Sequence, residues 1–423
     1  FKMSKNSKIK DDCFALPKGI NWCPVDTALE KLKNGLSILP EEKFIPSEKS
    51  LGFIISQPIY ALISNPSFSN SAVDGYGFHC ENLSDENRFT LLPNVAYAGA
   101  DFVDIVPQNY AIRIMTGAKL PKGVNTVVLN EDVTLNDNQI FFRGKLEKGS
   151  NTRLAGEDVK KGDLLFNKGH RIKVQDLALL VAAGVKYISV YEPLKVGILS
   201  TGDEILDSLI DIKKLSEGKI FDCNRPLLSS LLSKWGCEII DLGVEKDHYD
   251  KLKSKLNYAS KKCDVLLTSG GASSGDADFL SQMIKDEGKL FEWRIAIKPG
   301  RPLSLGLWNK MPIFGLPGNP VAAFVCTLLF FYPSMSLMGG AGWREPVKFQ
   351  VPSNFIKKKR AGRKEYLRAR INNNGMIDVF KSEGSGRISG LSWSTGLVEL
   401  SEEAMEINKG DRVNFIAYSS YGI

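Results

Sequence analysis

Between Cys263 and Tyr332 the chain carries two short apolar runs, each stopped by small residues. Val265, Leu266 and Leu267 with Thr268 read as a strand buried on both faces, the pattern of a parallel sheet. Ser269-Gly270-Gly271 stops this run, Ser273, Ser274 and Gly275 keep the turn small, and Asp276 and Asp278 follow. Further on, Lys298 and Arg301 bracket a Pro-Gly turn. Ile313–Leu316 reads as a second buried strand, Pro317-Gly318 as its turn, Asn319 as an N-cap and Pro320 as the first helical residue. Strand ends of an open parallel sheet that carry small residues, carboxylates and cations are where ligands bind.

Strands alternate with helical patterns from 191 to 334, so this segment is expected to be the central, mainly parallel part of a multidomain α/β chain. Its strands are expected at 195–199, 219–221, 238–242, 265–268, 303–307 and 313–316, with a helix at 226–234. Residues 1–23 read as a flexible extension. Val25, Leu29 and Leu32 stand at helical spacing. Residues 50–65 read as helix turning to strand. Short apolar runs between Gly, Pro, Asn and Asp mark 50–145 as a β domain. Segments 24–49 and 146–190 are expected to meet as one elongated linker domain, with a helix at 174–183 closed by Gly184. Residues 335–423 read as a small C-terminal β-barrel.

Length suggests about three domains. Seven cysteines among 423 residues form no CxxC pair or zinc spacing and read as reduced thiols of a cytoplasmic protein. Three histidines are too few for a histidine-based metal site. The longest apolar run, Val321–Tyr332 with one Thr, is too short to span a membrane, and the polar opening shows no signal-peptide pattern. A net charge of +7 fits an anionic ligand or, loosely, nucleic acid. The basic tract 357–370 is either a solvated face or a cationic rim for a polyanion. Single aromatics there are too few for a nucleic-acid stacking platform.

Chemistry concentrates in a few loops. Gly270, Gly271 and Gly275 let backbone N–H groups approach an anion at a helix N-terminus. Asp276 and Asp278 would repel that anion unless a cation lies between, so a divalent metal is natural there. Ser200, Thr201 and Gly202 offer hydroxyls and backbone to a ligand, with Asp203 and Glu204 supplying charge; a capped helix start explains the same residues. Lys298 and Arg301 suit phosphate or an oxyanion, one as a point charge and one as a fork. For Arg301 a solvated turn is the rival explanation.

GGASSGDADF, IKPGRP and GLPGNP, with SNSAVDGYGF, RIMTGAKLPKGVNTVV, GEDVKKGD and LSTGDEI, resemble in order the signature loops of the molybdopterin molybdenumtransferases, the family that includes the gephyrin E domain. The resemblance spans about residues 24 to 420. It implies that 191–334 binds molybdopterin, and that molybdate is inserted into adenylylated molybdopterin with hydrolysis of the adenylate and release of AMP. It implies Mg²⁺ on Asp222 and Asp278, catalytic roles for Asp74, Glu204, Asp222, Asp278 and Lys298, and substrate contacts from the glycine, serine and threonine loops. Further contacts are implied for Thr116, Arg153, Asp158, Ser274, Asp276, Arg301 and Pro317-Gly318-Asn319, and for Arg363, Arg368 and Ser389 in the C-terminal segment. Glu157 belongs with Arg153 and Asp158, and each has a turn role as its alternative. Arg301 departs from the usual Lys; Val73 and Gly77 are small departures beside Asp74. A homodimer is implied, with Asp74, Thr116 and Asp158 reaching the strand ends of a neighbouring subunit, as is transient contact with the molybdopterin adenylyltransferase. That adenylyltransferase, a gephyrin-like scaffold and a nucleic-acid binder are the rival functions. Neither nucleic acid nor membrane is expected as a partner.

Overall fold

The computed structural model describes residues 22–81, 83–270, 279–300 and 302–423. The expected extension at 1–23 lies outside these residues up to 21. Cys23 is already fixed: it is buried and its N–H donates to the Arg294 carbonyl at 2.8 Å.

The central sheet has six strands in the order Glu238–Glu245, Lys195–Thr201, Val265–Ser269, Met311–Leu316, Pro302–Trp308, Lys289–Arg294. The first three junctions are parallel and the last two antiparallel. Alternation explains the layers. Val265 and Leu267 face a core built with helices Val25–Gly35, Asn224–Lys234 and Pro320–Cys326; Leu266 faces a second core built with Tyr249–Lys262 and Phe279–Glu287. All three side chains are fully buried, about 1.5–3 kcal/mol each, so a run apolar at every position is what two covered faces demand.

From strand Lys195–Thr201 the chain crosses to one side, and the strand after that lies on the other side. The order therefore reverses between Lys195–Thr201 and Val265–Ser269, where such a sheet opens its ligand crevice.

Several expectations shift. Strand Lys289–Arg294 was not legible. Ile220–Phe221 does not join the main sheet; it pairs in parallel with Ile205–Leu206, because the charged residues around it favour an exposed ribbon. Residues 50–65 form no helix but strands Ile54–Ile55 and Ile59–Tyr60, as β-branched residues prefer. These strands pair with Tyr187–Tyr191 and Leu164–Phe166, so 50–60 lie with the linker segments. Helix Val25–Gly35 packs instead on the α/β core. Helix Val174–Ala182 ends before Gly184, whose φ of 77° suits glycine. The insert is a six-stranded sheet between Gly75 and Arg143 around Phe78, Phe89 and Phe142.

Pro320–Met338 forms one 19-residue helical stretch, long and apolar enough by length and composition to cross a membrane, which the 12-residue run did not foretell. It is 89% buried inside the chain and serves as the core helix of the α/β unit.

In the C-terminal part, strands Ile297–Lys298, Lys364–Ile371, Gly396–Leu400, Arg412–Ala417 and Phe349–Pro352 form a continuous path, and Lys357–Lys359 pairs with Met405–Ile407. Ile297–Lys298 belongs in sequence to the α/β unit yet runs parallel to Lys364–Glu365. That one pairing brings Lys298 to the basic tract.

Candidate functional site

At the reversal point, Ser200-Thr201-Gly202 ends one strand and Ser269-Gly270 the next. Gly270 has φ 88°, and a Cβ there would lie 2.5 Å from the Thr201 carbonyl oxygen. Only glycine lets these two loops meet. Asn224 ties in the third loop: its Nδ2 donates to Ser269 Oγ at 2.6 Å and to the Gly318 carbonyl at 2.7 Å. Three buried polar atoms around this junction, Ser200 Oγ, Thr268 Oγ1 and Asn224 Oδ1, have no hydrogen-bond partner among the described residues. A buried polar atom without a partner costs about 1–3 kcal/mol, so the cluster is arranged for a group that completes it. Asn319 Oδ1 accepts from Val321 N and Ala322 N at 3.1 and 3.3 Å. It is the expected cap, and its oxygen is thereby committed to the helix.

Asp222 has protein partners on both oxygens. Oδ1 accepts from the N–H groups of Asn224 and Arg225 at 3.2 and 3.1 Å, and Oδ2 from Arg225 Nε at 3.3 Å. Arg225 also donates to Asp241 at 2.7 Å and to Asp207. Burial acts against the guanidinium, but Asp241 and Asp207 carry its pKa upward. Asp222 therefore caps a helix and anchors an ion network. The sequence missed Arg225. A cation beside a helix N-terminus is out of place for the macrodipole, and an Asp three residues before it was the available signal.

Glu204 is exposed, and its carboxylate lies so close over Gly202 that a Cβ there would be 2.8 Å from Oε2. Among the described residues no three His, Cys, Asp or Glu side chains converge as a metal cage needs. With Asp222 held by Arg225, the described acids do not fit a divalent ion by themselves. Gly271, Ser274, Gly275, Asp276, Asp278 and Arg301 lie outside the described residues.

A second cluster is continuous with the first. Asn319 starts the helix at Pro320, and Val321 of its first turn lines a hollow with Pro299, beside Lys298. Lys298 Nζ lies 2.8 Å from Glu383 Oε2 and 3.7 Å from Glu365 Oε1. Lys357 Nζ lies 3.1 Å from Glu365 Oε2 and also contacts Glu383. Lys298 and Arg363 line the same cleft with Gly300, Gly384 and Ser385. Arg368 is buried. Its Nη2 donates to the carbonyls of Ser382 and Gly384 at 2.6 and 3.0 Å, its Nη1 to that of Arg387, and its guanidinium lies 5.0 Å from the Phe380 ring. It holds the loop Ser382–Arg387 in shape. Ser389 begins a short helix beyond that loop and is exposed.

The insert brings Asp74 and Thr116 together. Asp74 Oδ1 accepts from the Thr116 N–H and from its hydroxyl, both at 2.7 Å. The backbone bond and then the hydroxyl bond hold the carboxyl below its usual range. Arg153 is exposed on a two-stranded pairing with Asn70–Ser71. Asp158 accepts from Asn65 Nδ2 at 2.9 Å, a bond between two distant segments, and Glu157 from Leu154 N at 2.7 Å within its own turn.

A cavity of about 990 Å³ lies at the other end of the sheet, lined by Lys195, Asp264 and Met311 at strand starts and by Glu42 and Tyr191 of the linker. It holds none of the chemistry above. Volume alone does not locate a site; the reversal of strand order does.

Fold and site define a multidomain α/β protein whose sheet edge and adjoining cationic cleft are arranged for an anionic ligand. Residues 23–184 match the MoeA N-terminal region (domain I and II), 197–336 the probable molybdopterin binding domain and 351–418 the MoeA C-terminal region (domain IV). The chain is 34% identical over 395 residues to the molybdopterin molybdenumtransferase of Haemophilus influenzae, covering 92% of this chain and 97% of that one. It is 30% identical over 327 residues to that of Staphylococcus aureus, 76% and 77% of the two chains. A molybdopterin biosynthesis MoeA protein from Pyrococcus horikoshii superposes with a TM-score of 0.81 at 28% identity, over 94% of this chain and 100% of that one. The chain belongs to the molybdopterin molybdenumtransferase (MoeA) family.

Proposed function

We propose that this chain is the molybdenum insertase of molybdenum cofactor biosynthesis, and that its substrates are molybdate and adenylylated molybdopterin. Family membership supports molybdenum insertion, and in this proposal the adenylate is hydrolysed with release of AMP. The observation that carries it is the contiguity of the two clusters. Thr201 abuts Gly270, Asn224 ties Ser269 to Gly318, and Asn319 starts the helix whose first turn lies beside Pro299 and Lys298. One elongated anion can then lie on the neutral hydroxyl and amide cradle while a small oxyanion sits at Lys298 and Arg363. Neutral donors orient a phosphate without charge-locking it, and the cations hold an oxyanion.

Mg²⁺ is proposed on Asp222 and Asp278, where it would offset phosphate charge; Asp222 would hold it from the head of the helix that carries Arg225. We also infer a homodimer across the linker, where Phe44 stacks on Tyr187 at 5.5 Å and both are exposed, with Val174 and Val181 exposed nearby on the same unit. In that dimer Asp74 and Thr116 would face the partner's strand ends. Among the described residues the cysteines stand as thiols rather than disulfides, which suits a reducing cytoplasm. Transient docking of the adenylyltransferase would deliver the adenylate.

The test is AMP release from adenylylated molybdopterin by the purified full chain. Release should need molybdate. Equal release without it would make the protein a nucleotide hydrolase, and synthesis of the adenylate from ATP and free pterin would make it the adenylyltransferase. Sedimentation as a fully active monomer at micromolar concentration would refute the dimer.

A further inference from the structure

The cleft that carries Lys298 holds an internal anion. Lys298 and Lys357 come from different strands, Ile297–Lys298 and Lys357–Lys359. Two carboxylates face them. Glu365 is the buried one, with 12% of its side chain exposed, and it reaches both lysines. Glu383 is 43% exposed, comes from a loop, and lies with one oxygen on each lysine. Two ammonium groups thus stand against two carboxylates, only one of which is built into the sheet. Arg363 lines the same space and Lys358, Lys359 and Arg360 its rim.

The loop is built to hold its backbone while leaving this side chain free. Arg368 fastens the carbonyls of Ser382, Gly384 and Arg387. Between these anchors Glu383 is followed by glycines: a Cβ at Gly384 would meet only the Ser382 hydroxyl and one at Gly386 nothing within 4 Å. With 43% of its side chain exposed, Glu383 can swing toward solvent without moving the fastened backbone. Its bridging oxygens occupy the position between two cations that an oxyanion would take.

We propose that Glu383 is a displaceable counter-ion: its carboxylate sits in the oxyanion position of the Lys298–Lys357–Arg363 cleft, and incoming substrate must expel it. The identity of that oxyanion as molybdate rests on the function proposed above; the counter-ion role does not. Displacement leaves two lysines and Arg363 against Glu365 alone, an excess of positive charge that an incoming anion satisfies. Glu383 thus sets a threshold of affinity, rejecting anions too weakly charged to compete with a tethered carboxylate.

The experiment is calorimetric titration of the full chain, wild type, Glu383→Gln and Glu383→Ala, with molybdate and with sulfate as probes. Both variants should bind oxyanion about three- to tenfold more tightly than wild type, the scale of a partly exposed ion pair. The gap should close as pH falls through the range in which Glu383 takes up its proton. Burial works against its charged form, but Lys298 and Lys357 hold its carboxyl low, so closure should come below the ordinary glutamate range. Equal or weaker binding by both variants, or no oxyanion binding by any of the three proteins, overturns the proposal. A gap in affinity without molybdate-dependent AMP release would leave the counter-ion standing and remove the insertase reading. Molybdate-dependent release with no gap would do the reverse.

Discussion

Replacing Arg225 with Met removes a cation that faces three aspartates. Their exposures separate the contributions. Asp222 has 3% of its side chain exposed, Asp207 34% and Asp241 49%. The two more exposed pairs are screened and should each contribute under about 1 kcal/mol. Asp222 is different, because an uncompensated buried charge typically costs about 3–5 kcal/mol. It keeps the N–H groups of Asn224 and Arg225, so the lower end applies and the whole loss should be about 3–4 kcal/mol. With a slope of about 2 kcal/mol per molar urea for a unit of this size, the midpoint of its unfolding falls by roughly 1.5–2 M. Tryptophan emission is a suitable probe: Trp235 ends the same helix, buried, with its Nε1 on the Tyr421 carbonyl at 2.7 Å. Adding Asp222→Asn to Arg225→Met should recover part of the loss, since the amide still accepts the capping bonds and no charge is left unpaired. A midpoint drop of less than about 0.5 M, or a further loss on adding Asp222→Asn, would refute the reasoning.

Gly270→Ala places a Cβ 2.5 Å from a backbone oxygen at φ 88°; it should cost upwards of about 2 kcal/mol and abolish AMP release, read by melting and by assay. Thr116→Val removes the hydroxyl donor to Asp74 but keeps the N–H. The Asp74 carboxyl should rise part of the way back toward its ordinary range in a carbon-NMR titration. A depressed folded value stabilises above the unfolded pKa and is lost as pH falls through the folded one, so the variant should shed that stabilisation at higher pH than wild type. An unchanged titration would mean that the backbone bond alone sets the shift.

Where a signal is local, it was legible. A run apolar at every position, Val265 to Leu267, has one stable setting, the middle of a sheet covered on both faces. Asn319-Pro320 starts a helix because a short polar side chain followed by a residue without an N–H suits an N-terminus and little else. The loops around Gly202, Gly270 and Gly318 were placed at strand ends for the same reason, and the pairing of Asp74 with Thr116 joins two residues both singled out from their own loops.

What tertiary structure alone decided is which distant pieces meet. Arg225 drew no reading from the sequence because Asp207 and Asp241 come from a loop and a neighbouring strand. Arg368 was expected, from the resemblance, to contact substrate; burial turned it toward three carbonyls of a loop some 14 to 19 residues away. Lys298 read as a ligand in a turn, but a parallel pairing with Lys364–Glu365 set it between two carboxylates from the C-terminal part. Side-chain periodicity records which face is covered, and turn residues record where the chain bends. Neither records the partner, because the register between segments is chosen by packing across the whole core rather than by neighbours along the chain. The residue types at the sheet edge therefore belong to the sequence, while the charge balance that governs what they hold belongs to the assembled fold.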